Sequence, residues 1–356
     1  MTPENSNNST TAPIGSAESV PVVTPTSDTM IRLEKLSRWF DKTCAVNDVS
    51  FEVKAGEVFG FIGPNGAGKT TSMRILSTLD TPTAGDAWID GFSVVDDSDR
   101  VRRRLGFMPD NFGTYPNVNC EEYLDFFARA YGLRGNERRQ ALMHVMGFTQ
   151  LDTMANKPIN GLSKGMKQRL CLGRTMIHNP AVLILDEPAA GLDPRARIEL
   201  RDMIKELAAN GKSLLVSSHI LTELAEMCDR VAIIEQGNLL AVGTVEEILS
   251  GKLLAQPTAI ATADSPTPSV VNERVQIEVS VVADFPAAKS WLEQREDIES
   301  VAMRQGQLSF EYPAATEQRA ALLADMINAG IQVSSFSERQ LSLEDAFLRV
   351  TQGRVQ

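Results

Sequence analysis

Residues Gly63 to Thr70 read GPNGAGKT and fit the pattern G-x-x-x-x-G-K-[ST] at every fixed position. Gly63, Gly66 and Gly68 let backbone N–H groups converge on an anion, helped by the positive end of a following helix. Pro64, Asn65 and Ala67 complete the loop, and Thr71 continues into the helix. Lys69 suits the β- and γ-phosphates of a nucleoside triphosphate, and the Thr70 hydroxyl suits Mg²⁺. Further along, Leu183 to Glu187 read LILDE. A buried apolar strand that delivers Asp186 to its C-terminal end is how such enzymes hold Mg²⁺, usually through water. Glu187, one residue on, stands where a carboxylate orients or deprotonates an attacking water. A glycine-rich turn and a strand ending in Asp-Glu are each unremarkable alone. Together they point to binding and hydrolysis of a nucleoside triphosphate.

The flanking residues supply the elements these groups need. Val58, Phe59, Phe61 and Ile62 precede the loop, and Met73, Ile75 and Leu76 follow it, so strand–loop–helix is the natural reading. Val182 to Leu185 and Leu214 to Val216 are short apolar runs suited to strands buried on both faces of a parallel sheet. Ile198, Met203, Ile204, Leu207 and Ala208 lie between them at helical spacing. This is a βαβ crossover, and an α/β domain follows.

Composition narrows the class. A chain of 356 residues can bury substantial cores, and its length suggests about two domains. Its net charge of −11 leaves no basic surplus to neutralise nucleic-acid phosphates, so no nucleic-acid partner is expected. The densest basic run, Arg100 with Arg102 to Arg104, reads as a solvated helix end. Cys44, Cys120, Cys171 and Cys228 are scattered without metal-ligand spacing, as reduced thiols of a cytosolic protein are. His144, His178 and His219 are equally dispersed. No stretch offers the roughly 18 apolar residues of a membrane span, and no secretion signal opens the chain. The chain therefore reads as soluble, with any membrane role supplied by a partner.

Composition also marks boundaries. Residues 1–29 are rich in Ser, Thr, Asn and Pro and read as a disordered tail. An α/β domain is expected over 30–252, then a Pro/Thr/Ser/Ala linker over 253–272. In the remaining segment, 273–356, Val275, Ile277, Val279 and Val281 alternate as one face of a strand. Helical spacing at Phe285, Ala288, Trp291 and Leu292 follows, then a hairpin around Gln305–Gly306, a helix through Ala320 to Ile327 and a strand over Ile331 to Phe336. The order β-α-β-β-α-β resembles a small α+β, ferredoxin-like unit. A closing helix is expected over Leu343, Ala346, Phe347 and Val350. No catalytic constellation is visible here, which suggests a regulatory or assembly role.

Three further motifs stand around LILDE. Upstream is Leu162-Ser163-Lys164-Gly165-Met166; downstream are Gly191-Leu192-Asp193 and Ser217-Ser218-His219. A GTPase would need Asn-Lys-x-Asp, and the nearest stretch, Asn156 to Ile159, lacks the aspartate. In this order and spacing the motifs over residues 31–250 resemble the ATP-binding subunit of ABC transporters. The single nucleotide domain with a C-terminal extension is most similar to the ABC-2-type export systems. The resemblance implies a P-loop NTPase fold of ABC type, with an antiparallel β subdomain and a helical subdomain. It also implies ATP and Mg²⁺ as cofactors and a homodimer, or a heterodimer with a homologous ATPase. A separate polytopic membrane permease is implied as well, with the chain cytoplasmic and peripheral on the inner face of the cell membrane.

Residue roles follow from the same resemblance. Phe40 matches the aromatic that stacks on adenine; its neighbour Trp39 is the alternative, and either can be a core aromatic. Ser163 and Gly165 match the segment that binds the γ-phosphate of the nucleotide on the opposite subunit, and Ser163 can equally cap a helix. Asp193 matches the turn that crosses the dimer interface, and His219 the histidine that contacts the γ-phosphate and the water region. Two departures stand out. Lys164 and Met166 replace a glycine and a glutamine of the usual LSGGQ, bringing positive charge toward where phosphates should lie. Asp110 replaces the usual Mg²⁺- and water-sensing glutamine; it can contact the metal or its water but cannot donate an amide hydrogen bond. Two rival readings are weaker. Translation- or chromosome-type ABC ATPases carry paired domains or long coiled coils that this chain lacks. A degenerate, non-enzymatic subunit would not retain Lys69, Asp186, Glu187 and His219.

Overall fold

The protein is described by a computed structural model covering residues 28–249 except 112, 114 and 116, and residues 274–338 except 305 and 314. The expected tail up to residue 27, the linker at 253–272 and the closing helix at Leu343 to Val350 lie outside the described residues. The chain divides into two units at Val245/Glu246.

The first unit runs β1 (Thr29–Phe40), β2 (Thr43–Lys54), β3 (Val58–Ile62), α1 (Lys69–Leu76), β4 (Ala84–Ile89), β5 (Phe92–Ser93), α2 (Ser98–Arg104) and β6 (Leu105–Met108). It continues with α3 (Cys120–Ala130), α4 (Gly135–Phe148), α5 (Lys164–Met176), β7 (Val182–Leu185), α6 (Pro194–Ala209), β8 (Ser213–Ser218), α7 (Leu221–Ala225), β9 (Arg230–Glu235) and β10 (Asn238–Thr244). Helix α8 (Val245–Leu249) spans the division.

Ten strands form one sheet in the order β5-β4-β1-β2-β10-β9-β3-β8-β7-β6. Strands β9, β3, β8, β7 and β6 pair in parallel, and β1 pairs antiparallel with both β2 and β4. This is the expected α/β cassette with an antiparallel flank. Every residue of β3, β7 and β8 is buried, which is why their sequences are near-continuous apolar runs and not alternating ones. Helix α6 is the crossover from β7 to β8, burying Leu200, Met203, Ile204 and Leu207. One core joins the two parts of the sheet, with Phe51 stacked on Phe59 at 5.0 Å between ring centroids. The basic run closes α2, where cations suit the negative end of the helix; Arg102 pairs with Asp99 and Arg104 with Asp90.

Register brings the strand ends level. Ile62 pairs with Ser218, Leu185 with Val216, and Met108 with Leu185. The loops after β3, β6, β7 and β8 therefore leave the same edge of the sheet, where ligand sites of open parallel sheets form. Among the described residues no helix is long and apolar enough to cross a membrane.

The second unit runs β11 (Arg274–Val281), α9 (Phe285–Glu293), β12 (Glu299–Arg304), β13 (Gln307–Pro313), α10 (Thr316–Asn328) and β14 (Val333–Glu338). Its antiparallel sheet has the order β12-β13-β11-β14, the strand arrangement of a ferredoxin-like unit. Ile277, Val279 and Val281 face Ala288, Leu292, Leu322 and Met326 in its core.

Candidate nucleotide site

The loop after β3 is shaped by backbone contacts that tolerate no side chain. A Cβ on Gly63 would lie 2.3 Å from the Ile234 carbonyl oxygen. Gly68, at φ +104°, caps α1, and a Cβ there would lie 2.4 Å from the Ala45 carbonyl oxygen. Between them Pro64, Asn65 and Gly66 form an exposed rim, and Ala67 is buried. Thr70 and Thr71 lie in the first turn of α1. Lys69 is 5% exposed, and its Nζ donates to the Gly63 carbonyl at 2.6 Å and the Pro64 carbonyl at 3.2 Å.

Four neighbouring loops converge on this point. Lys69 Nζ stands 3.4 Å from Glu187 Oε1, and His219 Nδ1 lies 2.7 Å from Glu187 Oε2. A carboxylate only accepts, so Nδ1 carries the proton and His219 donates. Glu187 is a non-glycine residue at φ +48°. Its backbone N–H donates to Ser217 Oγ at 2.9 Å, and that hydroxyl donates to Asp186 Oδ1 at 2.7 Å. One serine thus tethers both acidic residues. Left-handed backbone in a side-chain-bearing residue costs about 1–3 kcal/mol and persists where surroundings enforce it.

Asp186 is 1% exposed. Burial raises its carboxyl above the ordinary aspartate range, hydrogen bonds from Ser217 and Thr70 pull it back, and the charges of Glu187 and Asp110 raise it again. Thr70, Asp186 and Asp110 therefore share one electrostatic neighbourhood. A hydroxyl and a buried carboxylate, completed by phosphate oxygens and water, form the oxygen donor set that Mg²⁺ takes. Among the described residues no group of three or more His, Cys, Asp or Glu could hold a metal without such help. Asp110 is exposed and accepts from Asn111 Nδ2 at 3.2 Å.

Ser163, Gly165 and Asp193 form a second group. Ser163 caps α5 by accepting from Met166 N at 3.3 Å, and Asp193 caps α6 by accepting from Ala196 N at 2.9 Å. The start of α5 faces the start of α6, since a Cβ on Gly165 would lie 3.1 Å from Ala196 Cβ. Lys164 is turned onto the Gly191 turn of its own chain, its Nζ only 2.3 Å from where a Gly191 Cβ would sit. Phe40 stands apart at the end of β1. It is 44% exposed, with the Arg38 guanidinium 4.4 Å over its ring, and Trp39 is 47% exposed.

The sequence shows Ser217 only as part of the Ser217-Ser218-His219 motif, with no role of its own. Its signal was present: a hydroxyl at the end of a fully buried strand needs a partner.

Comparison with known proteins places this geometry. Residues 46–190 match the ABC transporter family, and residues 269–351 match the C-terminal domain of DrrA1-3-like ATP-binding proteins. The ABC transporter ATP-binding protein YxlF of Bacillus subtilis (strain 168), itself uncharacterized, is 33% identical over 322 residues, 90% of this chain and 99% of that protein. The Nod factor export ATP-binding protein I of Burkholderia thailandensis is 35% identical over 223 residues, 63% of this chain and 73% of that protein. A solved ATP-binding subunit of an ABC transporter superimposes with a TM-score of 0.57 at 32% identity, over 62% of this chain and 92% of that one. A cradle for phosphates beside an acidic pair, on a sheet of this order and with relatives spanning the chain's length, leads to one conclusion: the chain belongs to the ATP-binding proteins of ABC transporters, ATPases that drive transport.

Proposed function

We propose that this chain powers export through a separate membrane permease, by ATP-driven closing and opening of a dimer with a second copy or a homologous ATPase. The observation that carries the reading is Glu187 held between Lys69 and His219, one residue from buried Asp186. ATP phosphates entering the loop would draw Lys69 Nζ away from the Gly63 and Pro64 carbonyls and from Glu187. The freed Glu187 carboxylate then accepts a proton from the attacking water, while His219, as an imidazolium in this complex, donates Nδ1–H to Glu187 and Nε2–H to the γ-phosphate. Thr70 and Asp186 would hold Mg²⁺, which supplies charge neutralisation on the phosphates; Asp110 addresses the metal or its water. Phe40 stacks on adenine.

Ser163, Gly165 and Asp193 are assigned to the nucleotide on the opposite subunit. Their support is the adjacency of the α5 and α6 starts, which presents two helix N-termini as one surface suited to an anion. Closure requires the γ-phosphate, so its loss on hydrolysis reopens the pair.

Docking of the permease is assigned to the surface from Asp110 to Tyr123. There exposed Tyr115 packs against buried Tyr123, and just beyond that segment exposed Phe126 and partly buried Phe127 join the same aromatic cluster. An exposed aromatic patch of this kind marks a protein interface. With that docking, the proposed location is the inner face of the cell membrane, through the permease. Export as the direction is supported by the name of the Nod factor relative.

The test is Glu187→Gln. Steady-state ATPase activity should fall by about 100-fold or more while ATP remains bound, as expected for removal of a catalytic base. Turnover near the wild-type rate would remove Glu187 from that role.

A further inference from the structure

The aromatic assigned to adenine is not a free-standing ring. Arg38 and Phe40 lie two residues apart on β1, so the pleat sets both side chains on one face of the strand. The Arg38 guanidinium sits 4.4 Å from the centre of the Phe40 ring. A cation centred over one ring face blocks that face alone, and Phe40 is still 44% exposed. Arg38 Nη2 in turn stands 2.8 Å from Asp80 Oδ1, and these two side chains are only 22% and 16% exposed. Arg38 Nε is buried without a hydrogen-bond partner among the described residues. The Asp80 pair and the ring contact are therefore what orient the guanidinium.

The segment that supplies Lys69 and Thr70 also places the anchor. From Lys69 the chain runs through α1 and reaches Asp80 four residues after the helix ends at Leu76. The following loop is tied to β1 on both sides of Arg38. Thr83 N donates to the Ser37 carbonyl at 2.8 Å, and Trp39 N donates to Thr83 Oγ1 at 3.1 Å. One stretch of chain thus fixes the phosphate loop and, through Asp80 and Arg38, the ring at the end of β1. An ion pair this near the surface adds little to stability, but a guanidinium over an aromatic face attracts the ring and fixes its tilt. A ring ordered before the base arrives binds more tightly by what that ordering would have cost.

We propose that Arg38, anchored by Asp80, is a positioning residue that holds the Phe40 ring as a preformed platform for the adenine of ATP. The inference rests on the role proposed above for Phe40.

The experiment titrates the purified full-length chain by calorimetry with two probes. Mg²⁺-ADP carries the base, and Mg²⁺-pyrophosphate lacks it. The variants are Arg38→Ala, Asp80→Asn, Phe40→Ala and the Arg38→Ala/Phe40→Ala double substitution, with thermal midpoints to confirm folding. Arg38→Ala should weaken ADP binding by about 3- to 10-fold, the range of a partly desolvated cation–π contact, and leave pyrophosphate binding within about 1.5-fold. Asp80→Asn keeps the guanidinium but frees it, and should weaken ADP binding by at least about twofold. In the ATPase assay Arg38→Ala should raise KM for ATP with kcat within about twofold, as loss of uniform binding does. On the Phe40→Ala background Arg38→Ala should change ADP affinity by less than about 1.5-fold, because the ring it positions is gone. ADP affinity within about 1.5-fold of wild type in folded Arg38→Ala overturns the proposal. So does an equal loss of pyrophosphate affinity, which would make Arg38 a general charge for phosphates, and so does a double whose loss is the product of the two singles. If Arg38→Ala does not fold, Asp80→Asn decides: a loss for ADP alone supports the anchoring, and unchanged ADP affinity contradicts it. If Phe40→Ala binds ADP as wild type does, the adenine assignment itself fails; if it loses ADP affinity while Arg38→Ala does not, only the positioning role fails.

Discussion

Removing the Ser217 hydroxyl tests the tether that shapes the acidic pair. In Ser217→Ala, Asp186 loses a 2.7 Å hydrogen bond to a carboxylate that is 1% exposed, and the Glu187 N–H loses its 2.9 Å acceptor. A hydrogen bond to a charged group is worth about 1.5–3 kcal/mol, and a buried N–H left without a partner costs about 1–3 kcal/mol. Water entering the space left by the oxygen recovers part of this sum, so a loss of about 3 kcal/mol is expected. For a unit of this size each kcal/mol shifts the thermal midpoint by about 2–4 °C, which gives a drop of about 6–12 °C. Calorimetry of the full chain without nucleotide reads this in the transition of the first unit. The same substitution releases Glu187 from φ +48°, so kcat should fall at least about tenfold even where the protein is folded. A midpoint within about 2 °C of wild type, with unchanged kcat, would refute the reasoning.

Two further outcomes are expected. Phe40→Ala should weaken ATP binding by about 5- to 100-fold, the range of lost base stacking, while Trp39→Ala leaves it unchanged; calorimetric titration separates them, and the reverse pattern would assign adenine to Trp39. His178 is partly buried, donates Nε2–H to the Leu105 carbonyl at 3.0 Å and stacks on Tyr131 at 3.7 Å, and desolvation lowers its pKa from 6.5 to about 4. Its folded pKa is depressed, so the unfolded chain binds the extra proton first. Stability from this residue is full above pH 6.5 and is lost as pH falls toward about 4, by about 3 kcal/mol in all. His178→Phe should flatten the fall in thermal midpoint below pH 6.5; an unchanged slope would place that pH dependence elsewhere.

What could be read from the residues, and what could not, follows from the range of the interactions. Gly63 and Gly68 were legible because close backbone approach restricts the residue type at a fixed spacing. Strands β3, β7 and β8 were legible because burial on both faces demands apolar runs, and the alternation of Val275 to Val281 anticipated the core of the second unit. The motif holding Ser217 was legible, but its role as a tether was not, because its partners lie 30 and 31 residues away and a single hydroxyl has no period. The charge of Lys164 was expected near phosphates, and the structure turns it toward the Gly191 turn of its own chain. A long flexible side chain can reach either, and composition does not choose between them.

The central claim, that ATP joins two subunits through the loop of one and the helix starts of the other, is tested most directly by sedimentation of Glu187→Gln with and without Mg²⁺-ATP. Dimers carrying two ATP molecules, which disperse when Ser163 is also replaced by a bulky arginine, are the predicted result. A Glu187→Gln protein that binds ATP yet stays monomeric at every concentration, alone or offered a membrane permease or a homologous ATPase, would contradict it.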